Sequence, residues 1–193
     1  EWNTGNAGEN AGYQVPQKGG YHIDKPHDIC YDLRSNMCLM LEEAGVKVKY
    51  HHHEVGGSGQ MEIEVELGEM TTMADNTMII KYVVKNAAVQ AGKTATFLPK
   101  PIYGIAGSGM HTNMSLFDKE GNNVFYDPDG EYGLSKTALQ FIAGIMKHIK
   151  ATTAINNPLV NSYKRLVPGY EAPVYIAWSA SNRSALVRVP KAR

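Results

Sequence analysis

Residues 46–67, which read VKVKYHHHEVGGSGQMEIEVEL, decide the fold of this chain. Residues 46–50 and 61–67 alternate between apolar and polar side chains, a pattern typical of strands with one buried face. Residues 56–59 are rich in glycine and separate the two runs as a flexible turn. The stretch therefore predicts two strands that can pair in the antiparallel sense.

Helices are predicted on both sides of these strands. Apolar residues three and four positions apart predict a helix over residues 28–44, and two further helices are predicted over residues 74–91 and 135–150. Gly45 and Gly92 end the first two. Because helices and strands mix without a regular βαβ order, the α+β class is favoured, with an antiparallel sheet flanked by helices.

Shorter elements are predicted in the rest of the chain. Strands are predicted over residues 94–98, 107–117, 174–179 and 185–189. A tight turn is predicted over residues 119–123 and a loop over residues 156–173. Residues 1–20 are interpreted as a loop, or as a cut end that lacks its preceding element.

The composition is that of an ordinary globular protein. The 193 residues are 43% hydrophobic and 20% charged, which fits one domain or two small ones. Nineteen Lys and Arg residues balance nineteen Asp and Glu residues, which disfavours a generally basic nucleic-acid binder. No apolar run reaches the roughly 18 residues of a membrane span and no signal peptide opens the sequence, so we expect a cytoplasmic protein.

The two cysteines are predicted to be core residues rather than a disulfide. Cys30 and Cys38 are eight positions apart in a predicted helix. That spacing separates them by about 12 Å, beyond the reach of a disulfide bond.

Polar side chains with binding chemistry line one face of the predicted strand over residues 107–117. That face carries His111, Asn113 and Ser115. The opposite face is mainly apolar and carries Met110, Thr112, Met114 and Leu116. A solvated strand face explains this pattern equally well, so the strand alone decides nothing about function.

A cation site is predicted where the strands pair. Antiparallel pairing can bring Glu54, Glu62 and His111 to one sheet face, where carboxylates repel each other unless a cation neutralises them. Oxygen ligands with few imidazoles suit Mg²⁺ or Mn²⁺ better than Zn²⁺. Two further acidic residues on the same strand, Glu64 and Glu66, are interpreted as plain solvent-face carboxylates.

The loop over residues 161–173, NSYKRLVPGYEAP, carries charged side chains on a sharply turned backbone. It contains Arg165 and Glu171, and Arg183 and Arg188 follow it. Arginine is the planar, bidentate partner for carboxylates and phosphates, although isolated arginines also form surface ion pairs. Alternation places Arg183 and Arg188 on opposite faces of a strand. Both can therefore lie in one site only if a bulge or a loop interrupts the alternation.

Five motifs in this order resemble those of type I glutamine synthetases. They are HHHEVGGSGQME at residues 51–62, KTATFLPKP at 93–101, GSGMH at 107–111, NSYKRLVPGYEAP at 161–173 and NRS at 182–184. The resemblance runs from about residue 19 to the end, and GSGMHTNMSLF looks most like the branch found in Gram-positive bacteria. It implies that residues 1–193 are the central part of a glutamine synthetase catalytic domain.

The resemblance also implies a reaction. Members of the family join ammonia to L-glutamate through γ-glutamyl phosphate, with ATP as the phosphate donor and Mg²⁺ or Mn²⁺ bound. We therefore expect a cytoplasmic ligase whose partners are L-glutamate, ammonium and ATP, with no nucleic-acid or membrane partner. The full-length parent is expected to be a homo-dodecamer with active sites between subunits.

Individual residues receive roles from the same resemblance. The residues that match metal ligands of the family's two-cation site are Glu54, Glu62 and His111. The implied catalytic residues are Glu171, Arg183 and Glu54. The residues expected to contact L-glutamate or ammonium are Gly107, Arg165, Glu171, Arg183 and Tyr21. The residues expected to contact ATP are Asn113, Ser115, Arg183 and Arg188.

The sequence departs from the family pattern in three ways. Ala106 stands where asparagine is usual, and Lys49 stands where an acidic residue is usual near the nucleotide. Further metal-binding glutamates are expected before Glu1 and after Arg193, so we expect the chain to be inactive by itself. Two alternatives stay open: a γ-glutamyl–amine ligase of the same fold, and a non-catalytic fragment that binds at most a metal or a nucleotide.

Overall fold

The computed structural model describes residues 15, 18–57, 59–182 and 184–190. Most of the predicted loop over residues 1–20 lies outside the described residues, and so does Arg183. The chain divides into two compact units, Glu1–Ser108 and Gly109–Arg193. None of the described helices is long and apolar enough to cross a membrane.

Two helices build the core of the first unit. Helix α1 spans Tyr31–Glu43 and helix α2 spans Met70–Gln90. Their buried contact consists of Met37, Val84, Ala87 and Ala88, surrounded by the partly buried Leu33, Met40, Ile63, Ile80 and Ala95. Helix α2 begins before its predicted start because the Glu69 carboxylate accepts hydrogen bonds from the backbone N–H groups of Thr71 and Thr72.

The two cysteines of this unit are buried and free, as predicted. Burial raises the pKa of the Cys38 thiol to about 11. The thiol therefore stays protonated at neutral pH and packs as a small apolar group.

Strands β1 (Val48–His53) and β2 (Met61–Val65) pair in the antiparallel sense that the alternation predicts. In this register His52 lies opposite Glu62, and Tyr50 lies opposite Glu64. The register shifts between Val48 and Tyr50. Helix α1 packs on β1, so the hairpin is held from one side by the core of the unit.

Two of the predicted strands are not formed. Residues 94–98 and 107–116 have no strand conformation. A strand needs a neighbour for its backbone N–H and C=O groups, and neither segment pairs with one in the described part of the chain. Residues 109–120 are all exposed, so Met110 and His111 do not alternate between a buried and an open face. The predicted turn is confirmed, because Phe117 and Asn123 pair across residues 118–122.

The second unit is built on helix α3, which spans Lys136–Asn156. Ser135 caps it, since its Oγ accepts from the Ala138 N–H at 3.1 Å, and the helix continues past its predicted end to stop just before Pro158. The buried residues of this core are Leu134, Ala138, Ile142 and Val189.

Strands β3 (Tyr175–Ser179) and β4 (Ala185–Arg188) lie close to their predicted positions but pair in parallel. A short helix α4, Val160–Arg165, forms inside the predicted loop over residues 156–173. The described chain is therefore α+β, as predicted, with one antiparallel and one parallel pair of strands.

Candidate metal centre

One imidazole and two carboxylates meet on the β1–β2 hairpin. His52 lies on β1, Glu54 directly follows β1, and Glu62 lies on β2. One ligand atom from each of the three residues lies within 4.8 Å of the others. His52 is buried and the two glutamates are half-buried. The cause is the register of the hairpin, which sets His52 directly across from Glu62.

The imidazole of His52 is held in one tautomer. Its Nδ1 lies 2.9 Å from the carbonyl oxygen of His53. Because a carbonyl only accepts, Nδ1 carries the proton and Nε2 keeps its lone pair in the neutral ring. Nε2 lies 3.9 Å from Glu62 Oε1, so its lone pair lies beside the carboxylates of the cluster. The rings of Tyr21 and His22 lie 5.2 Å and 4.2 Å from that of His52 and restrain its orientation.

The two carboxylates of the cluster disfavour each other's charge. Burial raises the pKa of Glu54, and the neighbouring Glu62 raises it further. The backbone N–H of Val55 donates to Glu54 Oε2 at 2.6 Å and opposes this effect in part. A divalent cation would relieve the repulsion, and two carboxylates with one imidazole lone pair are a donor set that it fits.

Glu64, on the same face of β2, is already paired. Lys49 Nζ donates to Glu64 Oε1 at 2.7 Å, and the Tyr50 hydroxyl donates to the same carboxylate. Although burial opposes ionisation, these hydrogen bonds hold the pKa of Glu64 below its usual value, and Glu64 raises the pKa of Tyr50 to about 12. The unusual Lys49 therefore neutralises Glu64 beside the cluster.

The opposite face of β1 is tied to helix α1 by buried charges. Arg34 Nε donates to His51 Nδ1 at 2.8 Å, and Arg34 Nη2 donates to Asp28 Oδ2 at 2.7 Å. The side chains of Arg34 and Asp28 are 1% and 0% exposed. Burial and the Arg34 charge lower the pKa of His51. These contacts fix the strand whose other face presents His52.

Sequence reasoning named Glu54, Glu62 and His111 as ligands and missed His52. The structure places Glu54 and Glu62 in one cluster, whereas His111 lies in the second unit on an exposed, irregular segment. The role of His111 stays a prediction. A signal for His52 was present, because it has the same strand parity as Glu54.

Among the predicted substrate contacts, Arg165 has the most distinctive surroundings. It is the last residue of α4 and half-buried, and burial lowers the pKa of its guanidinium. Its Nε is buried and has no hydrogen-bond partner among the described residues. The guanidinium lies against Gly109, where a Cβ atom would come within 2.5 Å of Arg165 Nη2.

Most of the remaining predicted contacts that the structure describes are exposed. Tyr21 is 47% exposed and packs edge-on against His52, and the Gly107 carbonyl accepts a hydrogen bond from Gln60. Glu171 is exposed and has a φ of 59°. Three more exposed residues are Asn113, Ser115 and Arg188. Their assigned roles stay predictions.

The comparisons with known proteins bear on this site. The family model described as glutamine synthetase, catalytic domain, matches residues 2–193. The chain belongs to this family. A glutamine synthetase of Pasteurella multocida is 56% identical over 191 residues, which are 98% of this chain and 40% of that protein. One of Clostridium saccharobutylicum is 57% identical over 176 residues, 91% of this chain and 39% of that protein.

A solved structure also resembles the fold of this chain. A cryo-EM structure of Plasmodium falciparum glutamine synthetase aligns with a TM-score of 0.83 and 38% identity. The alignment covers 89% of this chain and 33% of that chain. The chain thus spans about 40% of the length of the curated relatives that it matches.

Proposed function

We propose that this chain is the central part of a glutamate–ammonia ligase. The reaction joins ammonium to L-glutamate through γ-glutamyl phosphate and converts ATP to ADP and phosphate. The observation that carries the proposal is the cluster of His52, Glu54 and Glu62, with ligand atoms within 4.8 Å, in a chain of the glutamine synthetase family.

The cluster is proposed to hold a divalent cation, Mg²⁺ or Mn²⁺. When bound, such a cation offsets the negative charge that builds up on the transferred phosphoryl group. His52, Glu54 and Glu62 are the residues of the first unit that would hold it, and the raised pKa of Glu54 supports this assignment. We assign His111 to a second cation on the family's pattern.

Substrate binding is proposed to use charged and polar groups that belong to both units. Arg165 would pair with a carboxylate of L-glutamate, because its planar guanidinium is half-buried and retains an unpartnered donor among the described residues. Gly107 and Tyr21 would contact the same substrate or ammonium. The groups assigned to ATP are Asn113, Ser115, Arg183 and Arg188, and Arg183 would also face the transferred phosphate.

Glu171 is proposed to act after phosphoryl transfer. Its carboxylate would accept a proton from ammonium, which makes ammonia a nucleophile. The loop that carries it would also exclude water, because an acyl phosphate otherwise hydrolyses. Glu171 is exposed and has a positive φ, so it lies on an irregular surface segment. A segment of this kind can move to close over a bound substrate.

The parts of the relatives beyond the matched segment are proposed to supply the remaining ligands. The chain spans about 40% of the relatives' length, so we propose that the 193-residue chain alone does not catalyse the reaction. In its full-length parent the segment would belong to a cytoplasmic homo-dodecamer with active sites between subunits.

The test is a chimera in which this chain replaces the matched 191-residue segment of the Pasteurella multocida protein. Phosphate release is measured with ATP, L-glutamate and Mg²⁺, with either ammonium or methylamine. We expect turnover with ammonium, its loss in Glu62→Gln, and little change in the matched control Glu66→Gln, whose carboxylate is exposed. A preference for methylamine indicates a γ-glutamyl–amine ligase, and the absence of turnover with both contradicts the proposal.

A further inference from the structure

Gln60 lies in the loop between Glu54 and Glu62 and makes hydrogen bonds in three directions. Its side-chain Oε1 accepts from the Gly56 N–H at 2.8 Å, and its Nε2 donates to the Gly107 carbonyl at 2.9 Å. Its own carbonyl accepts from the Glu54 N–H at 2.8 Å. One residue therefore ties the loop of the metal centre to a segment 47 residues further along the chain.

A side chain at position 56 would displace the Gln60 amide from its present position. A Cβ atom on Gly56 would lie 2.8 Å from Gln60 Oε1 and 3.2 Å from Ile105 Cγ2. The loop thus lies directly against residues 105–107.

The segment that Gln60 contacts is also held by residues 99–100. Lys100 Nζ donates to the Ile105 carbonyl, and the Ser108 N–H donates to the Pro99 carbonyl at 2.9 Å. Lys100 is buried, at 7% exposure. Gln60 connects this segment to the loop between the two carboxylates through its hydrogen bond to Gly107.

We propose that Gln60 is a positioning residue that sets the Gly107 carbonyl relative to Glu54 and Glu62. The inference rests on the proposed function, in which Gly107 contacts L-glutamate and the carboxylates hold a cation. A carbonyl oxygen has two lone pairs. Gln60 occupies one and orients the other, which would accept from the ammonium group of L-glutamate.

Two variants separate the hydrogen bonds of the amide. Gln60→Ala removes both side-chain hydrogen bonds. Gln60→Glu keeps an acceptor for the Gly56 N–H, but an ionised carboxylate cannot donate to the Gly107 carbonyl. Gln90→Ala, at the exposed C-terminal end of α2, is the matched control.

The first measurement is hydrogen–deuterium exchange in the 193-residue chain without metal. We expect exchange of the Ser108 N–H, which donates to the Pro99 carbonyl, to be about fivefold faster in both Gln60 variants, the factor that one hydrogen bond is worth, and unchanged in Gln90→Ala. Unchanged exchange in Gln60→Glu overturns the proposal, whatever the activity of the chimera.

The second measurement is steady-state kinetics of the chimera. In Gln60→Glu we expect the KM for L-glutamate to rise about fivefold or more while the KM for ATP stays within about twofold, because the lost bond orients only the glutamate contact. A merely structural defect would lower the amount of active enzyme and leave both KM values unchanged, and that result overturns the positioning role. A wild-type chimera without turnover contradicts the proposed function. In that case hydrogen–deuterium exchange still tests whether Gln60 holds the Gly107 segment.

Discussion

At the scale of the residue, Asp28 and Arg34 form the most buried ion pair among the described residues. Asp28→Ala leaves the Arg34 guanidinium, 1% exposed, without its carboxylate, and Arg34 Nη1 already has no hydrogen-bond partner among the described residues. We expect urea denaturation to show a loss of about 3–5 kcal/mol in the free energy of unfolding. Asp32→Ala removes an exposed ion pair with Lys25 and is expected to cost much less. A loss in Asp28→Ala no larger than that in Asp32→Ala would contradict this role of the buried pair.

Glu171 and Glu62 are expected to fail at different steps of the reaction in the chimera. Glu171→Ala is expected to reduce glutamine formation by about 10² to 10⁴ and to leave γ-glutamyl phosphate formation largely intact, since proton acceptance follows phosphoryl transfer. Glu62→Ala is expected to lose both. The measurement is a pulse of labelled ATP with L-glutamate, with and without ammonium, and Glu171→Gln separates charge from loop structure. Equal loss of the intermediate in both alanine variants contradicts this division of labour.

The part of the site that could be predicted from the sequence is the part that depends on the alternation of side chains along a strand. Glu54 and Glu62 follow from two adjacent strands and their parity. The contribution of His52 depends on the register between the strands, which sets it opposite Glu62. Gln60 was invisible because its hydrogen bond to Gly107 spans 47 residues without any periodic signal.

At the scale of the element, the Glu69 carboxylate stabilises the start of helix α2. Hydrogen bonds from the N–H groups of Thr72 and Thr71 hold its pKa below the ordinary value of 4.5, so its contribution is present above that pH and is lost as pH falls through the lower folded pKa. Glu69→Gln is therefore expected to unfold at lower urea than wild type at pH 7, with the difference shrinking below pH 4.5. The control is Glu66→Gln, an exposed carboxylate outside the helix. A difference that is independent of pH would mean that the charge does not contribute.

The elements that sequence predicted well carry their own signal. The β1–β2 hairpin and the three long helices contain periodic apolar patterns within their own segments, and they form close to their predicted positions. The predicted strands over residues 94–98 and 107–117 failed because a strand forms only beside a partner, which a local pattern does not contain. The parallel pairing of β3 and β4 is a tertiary property of the same kind.

At the scale of the whole molecule, large apolar side chains on both units remain open to solvent. Met70, Tyr82, Ile155 and Val160 are 83%, 71%, 80% and 80% exposed. These exposed side chains, together with the coverage of about 40% of the relatives' length, support our proposal that the chain functions as a segment of a longer protein. We expect the purified 193-residue chain to release no phosphate from ATP in the presence of L-glutamate, ammonium and Mg²⁺. Turnover near the rate of the chimera contradicts this expectation.

The assignment of the metal centre can be tested by binding of Mn²⁺ to the 193-residue chain, followed by electron paramagnetic resonance. We expect binding at one site built by His52, Glu54 and Glu62, with affinity about tenfold or more weaker in His52→Ala, Glu54→Gln and Glu62→Gln. Glu66→Gln is expected to bind as wild type does. Absence of binding, or equal affinities in Glu62→Gln and Glu66→Gln, would contradict the assignment of this cluster as the metal centre.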